Sequence, residues 1–203
     1  ATLSRANLTK ATLYKTDMSG AYLGRADLRG ATLRESDLRK VNLGHANLTG
    51  ATLRESNLTD ATLGRADLTE ADLGCANLTK ATLQESNLSE AVIEQAVFRD
   101  STLERADLTN ANLCGAVLCG ANLHSIDLSG ASLEKADLSD ADLRDARLDG
   151  TDLRNADFSE CDLRESSIRG ITVNQGTQGG VQTRAEKAAG GAEDWDAIAR
   201  AYT

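Results

Sequence analysis

The apolar positions of this chain recur every five residues without a slip. From Ala1 the sequence divides into ATLSR, ANLTK, ATLYK, TDMSG, AYLGR and so on to SSIRG, 34 units that end at Gly170. The third residue is Leu in 29 of them, and the exceptions, Met18, Ile93, Phe98, Phe158 and Ile168, are apolar too. The first residue is Ala in 24 units; most of the others are small, and only Val41 and Ile126 are bulky. The second residue is mostly Asp, Asn or Thr, and the fourth and fifth are polar or Gly.

A period of five excludes both simple elements. Five residues of α-helix advance about 500°, so successive leucines would be offset by about 140° and no apolar face would form. A straight strand alternates faces with period two, so every second Leu would point outward. A sharp turn after each unit removes the conflict and lets every first and third residue face one axis. The sequence favours four sides per coil. Thr at the second position occurs seven times, always in odd-numbered units, and Asp or Asn fills that position in 13 of the 17 even-numbered ones. A ten-residue alternation repeats evenly in a coil of 20 and not in one of 15.

The predicted fold is therefore all-β, a quadrilateral parallel β-helix of about 8.5 coils, roughly 40 Å long at about 4.8 Å per coil. Under a 20-residue register, Leu38, Leu58, Leu78, Phe98, Leu118, Leu138 and Phe158 form one core ladder. Asp and Asn before each central residue are expected to bond the turn backbone. Composition agrees. Aromatics are 3% of the chain, too few for an aromatic-packed globule, while 40% hydrophobic residues argue against disorder. There is no proline, which would delete a donor from the ladder.

Units such as ADLRG, ANLTK, SNLTD and ADLSD resemble the A(D/N)LXX consensus of the pentapeptide repeat proteins, over residues 1–170. The resemblance implies a right-handed quadrilateral β-helix. It also implies two kinds of function. Many members have no assigned activity, while others protect DNA gyrase by imitating the shape and charge of duplex DNA. The gyrase-protecting members tend to carry more Phe at the central position, and some carry loops that interrupt the helix. This chain has Phe there twice and no interruption.

Charge changes the picture along the rod. The net charge is −9, but residues 1–80 carry +2, residues 81–170 carry −10 and residues 171–203 carry −1. Asp127, Asp137, Asp142, Asp152, Asp157 and Asp162 all stand at the second position and make the candidate acidic interaction face. Asp17, Asp37, Asp137 and Asp157 share one side under the 20-residue register. Two readings stand beside each other: a carboxylate ladder that meets a DNA-binding groove, or turn-forming residues whose charge solubilises the rod. The acidic balance disfavours direct nucleic-acid binding.

Chemistry-bearing motifs are sparse. His45 and His124 lie 79 residues apart, nearly four coils. Cys161 takes an inward small-residue slot, while Cys75, Cys114 and Cys119 sit at fourth or fifth positions and form no C-x-x-C. No nucleophile elbow, zinc-protease motif or phosphate loop occurs. The expectation is no enzyme, no metal and no cofactor. The cysteines make a reduced cytoplasmic setting the default, and the absence of an initiator Met leaves an exported or lumenal one open. No apolar run approaches the 18 or so residues of a membrane span.

The repeat fades after Gly170. Ile171 and Val173 read as a last inward pair, which puts the β-helix at 1–173 and a Gly-rich linker at 174–191. Residues 192–203 read as an amphipathic helix with Trp195, Ile198, Ala199 and Tyr202 on one face. That helix caps the rod, joins two chains into a homodimer, or is a free tail. Two functions follow. One is a non-catalytic scaffold that presents polar faces to a protein partner, favoured by the uninterrupted Leu-centred repeat. The other is a DNA mimic directed at gyrase or another topoisomerase, favoured by the acidic half and a tail-mediated dimer.

Overall fold

The computed structural model describes residues 1–179. Each second-position residue pairs in parallel with the residue 20 positions on: Thr2 with Tyr22, Asn7 with Asp27, Thr12 with Thr32, Asp17 with Asp37, and so to Asp152 with Thr172. Four pentapeptides therefore complete one coil. We number the sides by these pairs: side 1 holds Thr2 and Tyr22, side 2 Asn7 and Asp27, side 3 Thr12 and Thr32, side 4 Asp17 and Asp37.

The backbone accounts for four of the five N–H groups in a unit. The third N–H donates to the second carbonyl of the next coil (Leu3 to Tyr22, 2.7 Å), and the second N–H donates to the first carbonyl of the coil before (Tyr22 to Ala1, 2.9 Å). The fifth N–H reaches the fourth carbonyl of the next coil (Arg5 to Gly24, 3.0 Å). The first N–H of the following unit closes the turn on the third carbonyl (Ala6 to Leu3, 3.0 Å). Every fifth-position residue from Arg5 to Gly170 has a positive φ, between 54° and 71°. A positive φ at the third residue of a four-residue turn and not at the second marks a type II turn. Most of these residues are not glycine, so strain is spread thinly along every corner.

The first and third residues make the core. From Met18 to Ile171 all are buried except Ser166, which is half-buried. Leu38, Leu58, Leu78, Phe98, Leu118, Leu138 and Phe158 stack on side 4, each fully buried. Hydroxyl residues in the inward slot do not break the shaft, because each finds a carbonyl there. Ser86 Oγ donates to Leu83 O at 2.6 Å and Thr151 Oγ1 to Leu148 O at 2.6 Å. Cys161 is buried in the same kind of slot, and burial pushes its thiol up to about 12.

The wall runs on past the 1–173 boundary that the sequence suggests. Asp157 pairs with Gln178, an offset of 21, so the last unit holds one extra residue. Thr177 then takes the inward slot, with Oγ1 donating to Leu153 O at 2.9 Å. Asn174 Oδ1 accepts from Gly176 N–H at 3.0 Å, as an Asn does in the units below. Residues 174–179, read from sequence as the start of a linker, are therefore part of the coil. Their Asn and Gly residues are turn formers used at a corner. Gly179 lies so close to the Phe158 backbone that a Cβ would collide with it. The rest of the 174–191 segment, and the 192–203 helix with Trp195, Ile198, Ala199 and Tyr202, lie outside the described residues.

Candidate interaction surface

The fold decides which side chains are free to act. The one N–H that the backbone leaves over is the fourth of each unit. Every Asp or Asn at the second position supplies its acceptor: Asn77 Oδ1 takes Thr79 N–H at 3.0 Å, and the same bond recurs along the rod. These carboxylates and amides are structural before they are anything else. Outward chemistry is left to the fourth and fifth positions and to the outer oxygens of the second.

The six aspartates of the acidic half do not lie on one face. Asp142 and Asp162 stack on side 1, Asp127 is on side 2, Asp152 on side 3, and Asp137 and Asp157 on side 4. Their charge is also largely met. Arg144 pairs with Asp142 and Arg154 with Asp152 at 2.6 Å, and Arg164 pairs with Asp162. Hydrogen bonds from these arginines hold the three carboxyls below the usual carboxylate range. The same arrangement in the first half, Arg29 on Asp27, lowers that carboxyl to about 2. Arg147, one coil on, reaches Asp127 at 2.9 Å. Asp137 and Asp157 accept from Ser139 and Ser159 instead, and with Asp140 and Glu160 on the same side they form no ion pair among the described residues. The sequence carries a signal for the arginine pairing: D-L-R in 27–29, 37–39, 142–144, 152–154 and 162–164. Two residues apart across the inward Leu, both side chains face outward on one side.

Two other surfaces stand out. On side 3 a column of ion pairs links successive coils: Lys15 to Glu35 at 3.1 Å, Arg34 to Glu55 at 3.2 Å and Arg54 to Asp72 at 3.7 Å. These pairs are solvated and worth little each. On side 1 of the first half, a shallow, open cleft is lined by Ser4, Arg5, Gly24, Arg25, Asn42, Gly44, His45, Thr62 and Gly64. Its sequence signal is L-G-R, L-G-H and L-G-R at 23–25, 43–45 and 63–65, glycines 20 residues apart at the fourth position. Elsewhere, His124 Nδ1 lies 3.6 Å from Asp145, and the four cysteines are free. Among the described residues no group of three or more His, Cys, Asp or Glu is placed to hold a metal ion, and no helix is long and apolar enough to cross a membrane.

A family model for pentapeptide repeats matches eight copies over residues 1–25, 26–65, 36–74, 61–100, 76–113, 96–134 and 136–175. The chain belongs to the pentapeptide repeat family. Solved members are similar to it. HetL, a pentapeptide repeat protein involved in heterocyst differentiation regulation from the cyanobacterium Nostoc, is 31% identical over 84% of this chain and 86% of its own, with a TM-score of 0.48. A pentapeptide repeat protein from the Arabidopsis thaliana thylakoid lumen is 30% identical over 42% of this chain and 59% of its own, with a TM-score of 0.41. A trypsin-treated variant of QnrB1, a plasmid-mediated fluoroquinolone resistance protein, has a TM-score of 0.59 at 18% identity, over 78% of this chain and 91% of its own. No curated protein is significantly similar to the chain. Pentapeptide repeat architecture of this kind is a right-handed β-helix, and the QnrB1 likeness carries that fold and nothing of its activity.

Proposed function

We propose that this pentapeptide repeat protein is a four-sided rod of about 8.5 coils that works without catalysis, as a scaffold presenting its outer rows to a protein partner. The observation that supports this most is the division of labour within each unit. First and third residues are spent on the core and Asp or Asn at the second on the turn, while fourth and fifth positions vary freely on an unvarying backbone. Such a surface specifies a partner by the pattern of its rows. The test is capture from the source organism by the wild-type rod and by folded variants altered at fourth and fifth positions, side by side. Binding that survives every such substitution would remove the reading.

The gyrase-directed reading draws its support from the acidic second half. It needs carboxylates that face solvent together, and the Asp137, Asp140, Asp157 and Glu160 group on side 4 is the part of the rod that offers them. Asp127, Asp142, Asp152 and Asp162, by contrast, are each tied to an arginine, which leaves this reading second. A supercoiling assay with and without quinolone separates the two. No effect at micromolar protein eliminates a topoisomerase as the target.

A further inference from the structure

The geometry points to an anion-binding cleft on side 1 of the first half, for a short, multiply charged oxyanion of the polyphosphate kind. Three observations carry it. First, the cleft holds cationic and hydroxyl side chains and no carboxylate, and the Gly44 and Gly64 carbonyls at its floor already accept from Arg25 and His45 N–H. Arg5, Arg25 and His45 stand one above another at the fifth position, with Ser4, Thr62 and Asn42 across the floor. Asn42 spends Oδ1 on Gly44 N–H at 3.1 Å, so that acceptor is already occupied. Second, the donors are unclaimed. Among the described residues Arg5, Arg25 and His45 make no side-chain hydrogen bond or ion pair, while Arg144, Arg154 and Arg164 in the second half are each tied to an aspartate. The N–H groups of Gly24 and Gly64 are also without a partner there, because Tyr22 and Thr62 stand where Asp or Asn would supply one. Third, the concavity is made by residues that the backbone does not require. Gly24, Gly44 and Gly64 have no positive φ, and a Cβ on any of them would meet nothing closer than 3.4 Å. Gln84 fills the same fourth position one coil further on. Glycine here removes side chains from the floor and does nothing else for the fold.

The length of the cleft sets the size of the ligand. From Ser4 to Gly64 it covers three coil steps, about 14 Å. At the next coil Glu85 enters the corner column and takes Arg65 at 2.8 Å, and beyond it the rod carries a net −10. A short oxyanion meets guanidinium, hydroxyl and backbone donors over its whole length, which charge-assisted bonds reward. A long polyanion would run onto carboxylates.

The probe is inorganic tripolyphosphate, titrated calorimetrically into the full chain at low ionic strength, with amide chemical shifts followed in parallel. Saturable binding is expected, with the largest shifts at Gly24 and Gly64. The double variant Arg5→Gln, Arg25→Gln should bind about tenfold or more weakly. Gly44→Gln fills the floor without changing charge, in a position where Gln84 is tolerated, and should weaken binding to a similar degree. Overturning results are an absence of saturable binding at millimolar tripolyphosphate, an affinity unchanged by Gly44→Gln, or a single-stranded oligonucleotide that binds more tightly than tripolyphosphate.

Discussion

Asn77 shows what a second-position residue is for. Its Oδ1 accepts the Thr79 N–H at 3.0 Å and the Thr79 hydroxyl at 2.7 Å, and no backbone carbonyl is in place to do either. Replacing Asn77 by Ala should cost about 1 kcal/mol in urea unfolding. Thr82 makes no such bond, and Thr82→Ala should cost less than about 0.5 kcal/mol. Equal losses at the two positions would deny the side chain its part in the turn. The inward slot has a different constraint. Ala66 is 1% exposed, in the first-position column with Ala46 and Ser86, and Phe there should overpack the shaft by about 1–3 kcal/mol or more. Stability unchanged in Ala66→Phe would mean that the first residue does not face inward.

At the scale of one side, the sequence is legible wherever the constraint is local. Small first residues, apolar third residues and turn-forming second residues each answer to one position in the coil, and the period displays them 34 times. What the period hides is how outward side chains pair with one another. Whether Asp142 is a free charge depends on the Arg144 rotamer across the inward Leu, and whether Asp127 is free depends on Arg147 a coil away. The acidic face read from the second positions dissolves because the register spreads the six aspartates over four sides and arginines meet four of them. The extra residue in 171–176 hides the last corner in the same way, because one insertion turns a repeat into what reads as a linker. The Asp–Arg pairs make a prediction of their own. The carboxyls of Asp142, Asp152 and Asp162 sit below their ordinary 3.8 in the folded rod. Such groups stabilise the fold above the unfolded value, and that stability is lost as pH falls through the lower folded one. The urea midpoint of the wild type should therefore drop more between pH 6 and pH 3 than that of the triple Asp→Asn variant, which keeps the Oδ1 acceptors and loses the charges. Parallel drops in both proteins would count against the pairs.

For the whole molecule, position along the chain becomes height along the rod. Residues 20 apart are neighbours, so side 1 gathers Arg5, Arg25 and His45 into one column and opens a cleft beside them, while side 4 gathers Asp137, Asp140, Asp157 and Glu160 at the other end. A scaffold of this kind holds its surface rows rigidly, because each coil is bonded along its length to the next. The position of every surface row depends on that register. Spin labels at Lys10 and Asn110, both exposed fifth-position residues of side 2, measure it directly when Cys75, Cys114 and Cys119 are replaced by Ser. Five coils of 20 residues separate the two sites, and double electron–electron resonance should give a narrow distribution near about 24 Å at about 4.8 Å per coil. A three-sided coil of 15 residues would separate them by about 32 Å, and that distance, or a broad spread, would contradict the four-sided register.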